Sequence, residues 1–411
     1  MKQAQTHCDA LVIGGGPAGS TAALLLARAG WKVVVVEQAR YPRRKVCGEF
    51  ISASTWPLLM TLGVGESLMA VAGRPVTHVG LFAGRAKLMS RIAERREVNP
   101  LAGRAIGRAV LDGALIDAAR DSGAVVCQPW SFVEGTFERA SAHATIESRE
   151  TGERRVVAAD IVIDAHGAWE AIAHPGSSPR PHRASDMLGF KAHFDGASLQ
   201  SGLMPLLAFP GGYGGMVETD RARTSLSLCI RRDALAACRL QHPGSSAGDA
   251  VLAHIRTSCA GVDDALCRAT LCERWIAAGP LATGIRGFGQ GRVFAVGNAA
   301  AEAHPVIAEG ISMAIQSSAL LAQALIGAGR EPAALDAVRH RYEVQWRDRF
   351  SLRLRAAAFF AHMFMRPLPT AMAAVAIRTL PSLLTLGASF SGKSSLLQPG
   401  AFSASAGGSI R

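Results

Sequence analysis

Aromatic and charged side chains are both scarce in this sequence. Of its 411 residues, 6% are Phe, Trp or Tyr, and tyrosine occurs three times. An aromatic and basic platform for single-stranded nucleic acid is therefore unsupported, and no nucleic-acid partner is expected. Charged residues are 18% against 49% hydrophobic ones, which excludes a disordered chain and supplies a large core. None of the eight cysteines forms a CxxC pair or a Cys/His cluster with zinc spacing, so no metal is expected. In a chain of this length they read as reduced thiols of a cytosolic protein. Near the C-terminus no apolar stretch reaches the roughly 18 residues of a membrane span, because Arg366, Arg378 and Lys393 interrupt the longest ones. The run Ala10–Ile13 is too short for a signal peptide and leads straight into glycines. No repeat with the period of a solenoid or propeller is present. Acidic residues are outnumbered, 32 to 44, giving a net charge of +12. That balance permits nucleic acid, anionic lipid or acidic ligands and does not choose among them.

What is present is concentrated in the first forty residues. Asp9–Ile13 reads as a buried strand, followed by Gly14-Gly15-Gly16-Pro17-Ala18-Gly19. An Ala/Leu-rich helix over Ser20–Ala29 ends at Gly30, and a second strand, Lys32–Val36, ends at Glu37. In this pattern Gly14 allows a tight turn, Gly16 lets the backbone approach a pyrophosphate, and Gly19 lets helix and strand pack closely. The helix start offers free N–H groups and a positive dipole end. Glu37 can accept both hydroxyls of an adenosine ribose. The acid favours a dinucleotide with a free 2′-hydroxyl, FAD or NAD.

Three later segments favour FAD. Tyr41-Pro42-Arg43-Arg44-Lys45-Val46-Cys47-Gly48-Glu49 is a basic cluster running into a Cys-Gly-Glu turn. Arg108-Ala109-Val110-Leu111-Asp112 opens a helix. Arg292–Val296 is a strand that delivers Gly297 and Asn298 to a sheet edge, followed by His304-Pro305 and an apolar helix from Gly310 or Ile311 to Ile326. The positive end of that helix suits the negative charge of a reduced flavin.

With these segments the chain resembles the FAD-dependent oxidoreductases of the p-hydroxybenzoate hydroxylase fold, and within them the geranylgeranyl reductase and flavin-halogenase-like branch. The resemblance covers about residues 8–330. It implies an α/β fold: a Rossmann-like FAD-binding domain, an inserted β-sheet substrate domain and a helical C-terminal region. It places Gly14, Gly16, Pro17, Ala18, Gly19, Glu37 and Arg108 on the ADP half of FAD. Arg44, Lys45 and Cys47 lie along the cofactor entrance, Asn298 near the ribityl and pyrophosphate, and Gly310, Ile311 and Met313 beneath the pyrimidine ring. NAD(P)H is the electron donor of such enzymes. Here His166 replaces the Asp of the family's Ala-Asp-Gly turn, which the aromatic hydroxylases link to NAD(P)H handling, so a separate reductase partner stands as an alternative. Asn298 likewise replaces an Asp. The halogenases' Trp-x-Trp-x-Ile-Pro is absent, and of the reductases' Tyr-x-Trp-x-Phe-Pro only Phe209-Pro210 remains.

The expected domains are 1–174 with 285–330 for the cofactor, 175–284 for substrate, a helical 331–398 and a disordered tail, 399–411. Glu302, His304 and Glu309 stand as the catalytic candidates, able to deprotonate a phenol or relay protons. Phe209, Tyr213, Gly214 and Pro305 are the expected substrate lining, and the substrate is expected to be a small apolar or aromatic molecule of secondary or lipid metabolism. Residues 331–411 carry ten Lys/Arg against four Asp/Glu. That composition suits either a helical cap or peripheral contact with an anionic membrane. A monooxygenase is the first functional expectation, a reductase of isoprenoid-type C=C bonds the second, and a non-catalytic flavoprotein partner the third.

Overall fold

Parallel strand pairing places the motif-bearing loops along one edge of a sheet. In the computed structural model, which describes residues 6–92, 102–138, 141–168, 181–380 and 382–385, the strand Thr6–Ile13 lies between Val33–Val36 and Arg154–Asp164, all parallel. Val125–Cys127 extends the sheet beyond Val33–Val36, and Val293–Ala295 joins the second half of Arg154–Asp164. The first half of that long strand pairs antiparallel with Ala142–Ser148, which in turn pairs with Trp130–Phe137. Ile13 is in register with both Val36 and Asp164, and Asp164 with Ala295. Four carboxyl ends therefore meet in one line, the crevice where open α/β sheets bind ligands. Val33–Val36 is buried on both faces, as a sheet covered on both sides requires. The expected tail, 399–411, lies outside the described residues.

Helix α1 (Pro17–Arg28) begins three residues before the expected Ser20, because Pro17 occupies its first turn, where no N–H is needed. Gly19 thus falls inside the helix. A Cβ there would sit 1.9 Å from the Gly14 carbonyl oxygen, so only glycine permits this approach. The short helices α2 (Trp56–Thr61) and α3 (Gly65–Val71) and the longer α4 (Arg108–Asp121) join α1 on one face of the sheet. On the opposite face Leu11, Ile13 and Val34 pack against the antiparallel hairpin through Ala144, Ile146 and Phe132.

The second sheet runs in the order Thr270–Leu271, Met187–Asp195, Thr224–Arg231, Gly212–Glu218, Leu203–Phe209, His78–Ala83, Ala86–Arg91. Its last two strands lie outside the expected 175–284 segment: His78–Ala83 pairs in parallel with Leu203–Phe209, so two separate pieces of chain build the substrate unit. Helices α5 (Arg232–Gln241), α6 (Ala247–Ser258) and α7 (Ala260–Leu266) cover the far face, packing on Phe190, Phe194, Leu226 and Ile230. The near face presents Leu81, Ala208, Tyr213 and Cys229. Helix α8 (Gly310–Ala328) is long and apolar enough to cross a membrane by composition, yet most of it is buried, and it packs beside α1 as a core helix. Helix α9 (Leu335–Phe364) is anchored to the first domain by Tyr342 and Trp346 against Phe288, and reaches the second sheet with Ala357, Ala361 and Phe364. Helix α10 (Pro367–Thr379) follows α9.

Because Gly19 has no room for a methyl group, Gly19→Ala must push α1 away from the Gly14 turn. The expected outcome is a loss of about 1–3 kcal/mol in unfolding free energy, measured by urea denaturation.

Candidate active site

A cavity of about 870 Å³ runs between the two sheets. At one end, the Gly14–Gly16 turn and α1 meet Glu37, which is buried. The Glu37 carboxylate accepts from the amides of Gly15 and Ala39, each at 2.8 Å, and from Arg43 Nη1 at 3.1 Å. Arg108 forms a bidentate pair with Asp112, at 2.6 and 2.7 Å, one helical turn along α4. Burial opposes the Arg108 charge, but Asp112 outweighs it and holds the guanidinium protonated. A Cβ on Gly16 would lie 3.7 Å from both Arg43 and Arg108, so two guanidiniums flank an open backbone concavity at the N-terminus of α1. Lys45 is the third cation here. Burial, reinforced by the Arg108 and Arg43 charges, lowers its pKa to about 8. Three cations against Glu37 and Asp112 leave one positive charge in excess, beside a helix dipole of the same sign. A bare glycine cradle, an acid placed for ribose hydroxyls and a net positive charge fit the ADP half of a dinucleotide.

Midway along the cavity stand Cys47, Gly48 and Glu49, the turn Ala165–Gly167, Asn298, and the start of α8 at Gly310 and Ile311. Glu49 and Ala308 both adopt positive φ, 60° and 55°, and both line the cavity. Such conformations cost energy in non-glycine residues and are held by their surroundings. For Glu49 the surroundings are explicit. Its carboxylate pairs with Lys191 Nζ, bonds His193 Nε2 at 2.8 Å, and accepts the Arg108 amide at 3.2 Å. Burial alone would raise its pKa, but His193 and Lys191 outweigh burial and hold it at about 2. His166 is engaged by Asp164, both through its ring Nδ1 and through its amide at 3.3 Å, which accounts for histidine in this turn.

The far end is apolar, lined by Leu206, Leu281 and Val306 and by Phe360, Phe364 and Ile377 from α9 and α10. Tyr213 lines the same cavity and is almost fully buried. Its hydroxyl lies 3.1 Å from His304 Nδ1, and His304 Nε2 lies 3.2 Å from Thr283 Oγ1. Burial, with smaller contributions from Cys229 and Glu302, raises the Tyr213 pKa well above 10. Burial, with the charge of His362, lowers that of His304 to about 4. Both groups are therefore neutral near pH 7. Glu302 is raised by burial against the pull of Arg286, which it contacts at 2.7 Å.

Most residues expected from the sequence do meet at this cavity: Gly14, Gly16, Pro17, Ala18, Glu37, Lys45, Cys47, Arg108, Asn298, Glu302, Gly310, Ile311, Tyr213, Gly214 and Pro305. Five do not. Arg44 turns outward to Glu273 at 2.7 Å, and Arg43, one residue earlier, takes the inner position. Met313 points into the core beside Trp346, because Ile311 and Ala314 occupy the cavity-facing stripe of α8. Phe209 lies on the helix-covered face of its sheet, edge-on to His254, since Tyr213 pairs with Ala208 and the neighbouring residue must face the other way. Glu309 is fully buried at the start of α8, 3.7 Å from Arg353 and off the cavity. His304 stands behind Tyr213 and reaches the cavity through it. The residues the sequence did not single out are Arg43, Asp112 and the Lys191/His193 pair. The last had a readable signal: two polar, proton-binding residues on the same face of an otherwise apolar strand, Phe190–Phe194.

The sequence profile of the FAD binding domain family matches residues 7–347, and the chain belongs to that family. A menaquinone reductase of Mycolicibacterium smegmatis is 31% identical over 158 residues, 38% of this chain and 38% of that protein. The match thus spans about two fifths of the relative's length. Among solved structures, the myxobacterial chondrochloren halogenase superposes with a TM-score of 0.73 at 20% identity, covering 86% of this chain and 83% of that one. The PqsL protein of Pseudomonas aeruginosa, in complex with 2-aminobenzoylacetate, gives 0.73 at 17% identity, covering 89% and 99%. These likenesses show a shared fold.

Two outcomes follow from the charges. Lys45 must be protonated to attract phosphate, so FAD affinity should fall as pH rises through about 8, and Lys45→Met should bind FAD more weakly with that pH dependence gone. Isothermal titration of the apoprotein checks both. Glu49→Gln leaves Lys191 without its counter-charge and should cost about 3 kcal/mol in denaturant unfolding. The folded pKa of about 2 lies below the ordinary 4.5, so this stabilisation is complete above pH 4.5 and is lost as pH falls toward 2. The variant should lack that part of the acid dependence.

Proposed function

We propose that this member of the FAD binding domain family is an FAD-dependent monooxygenase that hydroxylates an apolar, phenolic small molecule. One observation carries the reading: the nucleotide end and the apolar end form a single cavity, lined by a buried neutral hydroxyl, Tyr213, backed by a two-step proton path. When bound, FAD supplies the redox chemistry. The chain supplies position, dryness and proton handling. In this reading the start of α1 at Gly16, with Arg43, Arg108 and Lys45, holds the phosphates, and Glu37 the ribose. The start of α8 offers partial positive charge to negative charge developing in mid-cavity. Phe360, Phe364, Leu206 and Ile377 exclude water around an apolar substrate.

The proton path avoids a buried imidazolium and leaves the negative charge on the phenolate oxygen of the substrate. A phenol bound at Tyr213 gives its proton to the Tyr213 oxygen as Tyr213 passes its own to His304 Nδ1. His304 releases the proton on Nε2 to Thr283, which is half-buried and leads outward. An imidazolium is not required at any point, in keeping with a His304 pKa near 4. NADPH or NADH is the proposed electron donor, with a separate reductase as the alternative source of electrons.

A second reading is reduction of an isoprenoid-type C=C bond. It is favoured by the similarity to a menaquinone reductase and by the apolar end of the cavity. The same path run inward would deliver the proton.

The two readings separate in an oxygen electrode. With NADPH and alkyl-substituted phenols, hydroxylation predicts one oxygen consumed per product formed. Product formation without oxygen would overturn it in favour of reduction. Tyr213→Phe should lower kcat by about tenfold to a thousandfold, the range of general acid–base contributions, with FAD binding unchanged. His304→Gln should act in the same direction. Activity of the parent protein should show no inflection near the ordinary histidine pKa.

A further inference from the structure

We propose that the outward face of α10, together with the end of α9, docks on an anionic lipid bilayer. Helix α10 is apolar on both sides. Ala373, Ala376 and Ile377 line the cavity, while Leu368, Met372 and Val375 face outward and are 79%, 74% and 64% exposed. The outward three recur at spacings of four and three, so they form one stripe. A helix apolar all round belongs in a core or in contact with lipid, and this one has a core on one side only. On α9, Leu352 and Phe359 are likewise 62% and 65% exposed, with the exposed Arg355 between them at helical spacing.

Charge identifies the occupant. After Asp348 the sequence contains no Asp or Glu, but seven Lys or Arg. Of these, Arg355, Arg366 and Arg378 are exposed on α9, at the α9–α10 junction and on α10. A second copy of this chain seated on the same face would oppose like charges. An apolar stripe bordered by arginines, without acids, is complementary to a surface with an apolar interior and anionic headgroups. The stripe is also the outer side of the helix whose inner side walls the apolar end of the cavity, so a lipophilic molecule would pass from bilayer to cavity without crossing water. The docking itself does not depend on which reaction the cavity performs.

The test is flotation of the full-length, FAD-loaded protein with phosphatidylcholine vesicles, with and without phosphatidylglycerol. The protein should float with the phosphatidylglycerol vesicles, less with phosphatidylcholine alone, and less as salt rises. Leu368→Glu/Met372→Glu/Val375→Glu should reduce the bound fraction at least about tenfold with FAD content retained, because all three side chains are exposed. Val375→Trp should show blue-shifted emission on the anionic vesicles. Arg366→Gln/Arg378→Gln should remove most of the preference for phosphatidylglycerol. Absence of flotation and of the emission shift would overturn the proposal. So would a concentration-dependent dimer that the triple variant dissolves, which would give the face to a second copy.

Discussion

Glu49 carries its charge where almost no water reaches, and the surroundings of the cavity are arranged to compensate it. Lys191 and His193 come from the second sheet, and the Arg108 amide from the first domain, so one carboxylate ties the two units at the point where the cavity passes between them. Ser227, on the strand beside Lys191, reinforces the tie by donating to the Cys47 carbonyl at 2.7 Å. Apolar surface alone is non-directional and would tolerate sliding of one sheet over the other. A buried charge with three fixed partners does not, since any displacement leaves an ion unpaired. The left-handed backbone of Glu49 is the local cost of presenting that carboxylate.

From this tie follow the two ends of the cavity. On one side, Gly14, Glu37 and Asp164 are brought level by parallel register, and Arg43, Lys45 and Arg108 surround them with positive charge. On the other, the near face of the second sheet meets α9 and α10 and leaves an apolar space. Tyr213, with His304 behind it, lets a proton leave that space without an imidazolium forming on the way. The chemistry proposed for the protein needs both ends in one enclosure, and the Glu49 cluster holds them there.

The first forty residues were legible because every constraint in them is local. A turn that needs glycine, a helix start, an all-valine strand and an acid at its end all follow from spacing, and the structure has all four, with the helix starting at Pro17 rather than Ser20. The second sheet was only partly legible. Its strand His78–Ala83 pairs with Leu203–Phe209 across more than a hundred residues, a contact that no local pattern announces. The errors at Arg44, Phe209 and Met313 share one cause. Arg44 and Met313 each lie one position from a residue that lines the cavity, and Phe209 one position from Ala208 on the near face of its sheet, and which side chain faces inward depends on packing against distant partners. Glu309 and His304 were read as site residues from their place between strand and helix. Their burial, and the interposition of Tyr213, depend on α9 and on the Gly212–Glu218 strand, which pattern alone does not position. The Lys191/His193 pair was visible as alternation in an apolar strand, but its partner Glu49 could be named only once the two sheets were seen together.

The central claim is that the positively charged end of the cavity is built for the ADP half of FAD. Equilibrium titration of the apoprotein with FAD and with FMN, read by flavin fluorescence, tests it most directly. In this account Glu37, the glycine turn, Arg43 and Arg108 hold the adenosine diphosphate part of FAD, of which FMN keeps only one phosphate. FAD should therefore bind at least about tenfold tighter than FMN, a difference of 1.4 kcal/mol or more, and ADP should displace FAD. FMN binding as tight as FAD, with ADP without effect, would contradict the account.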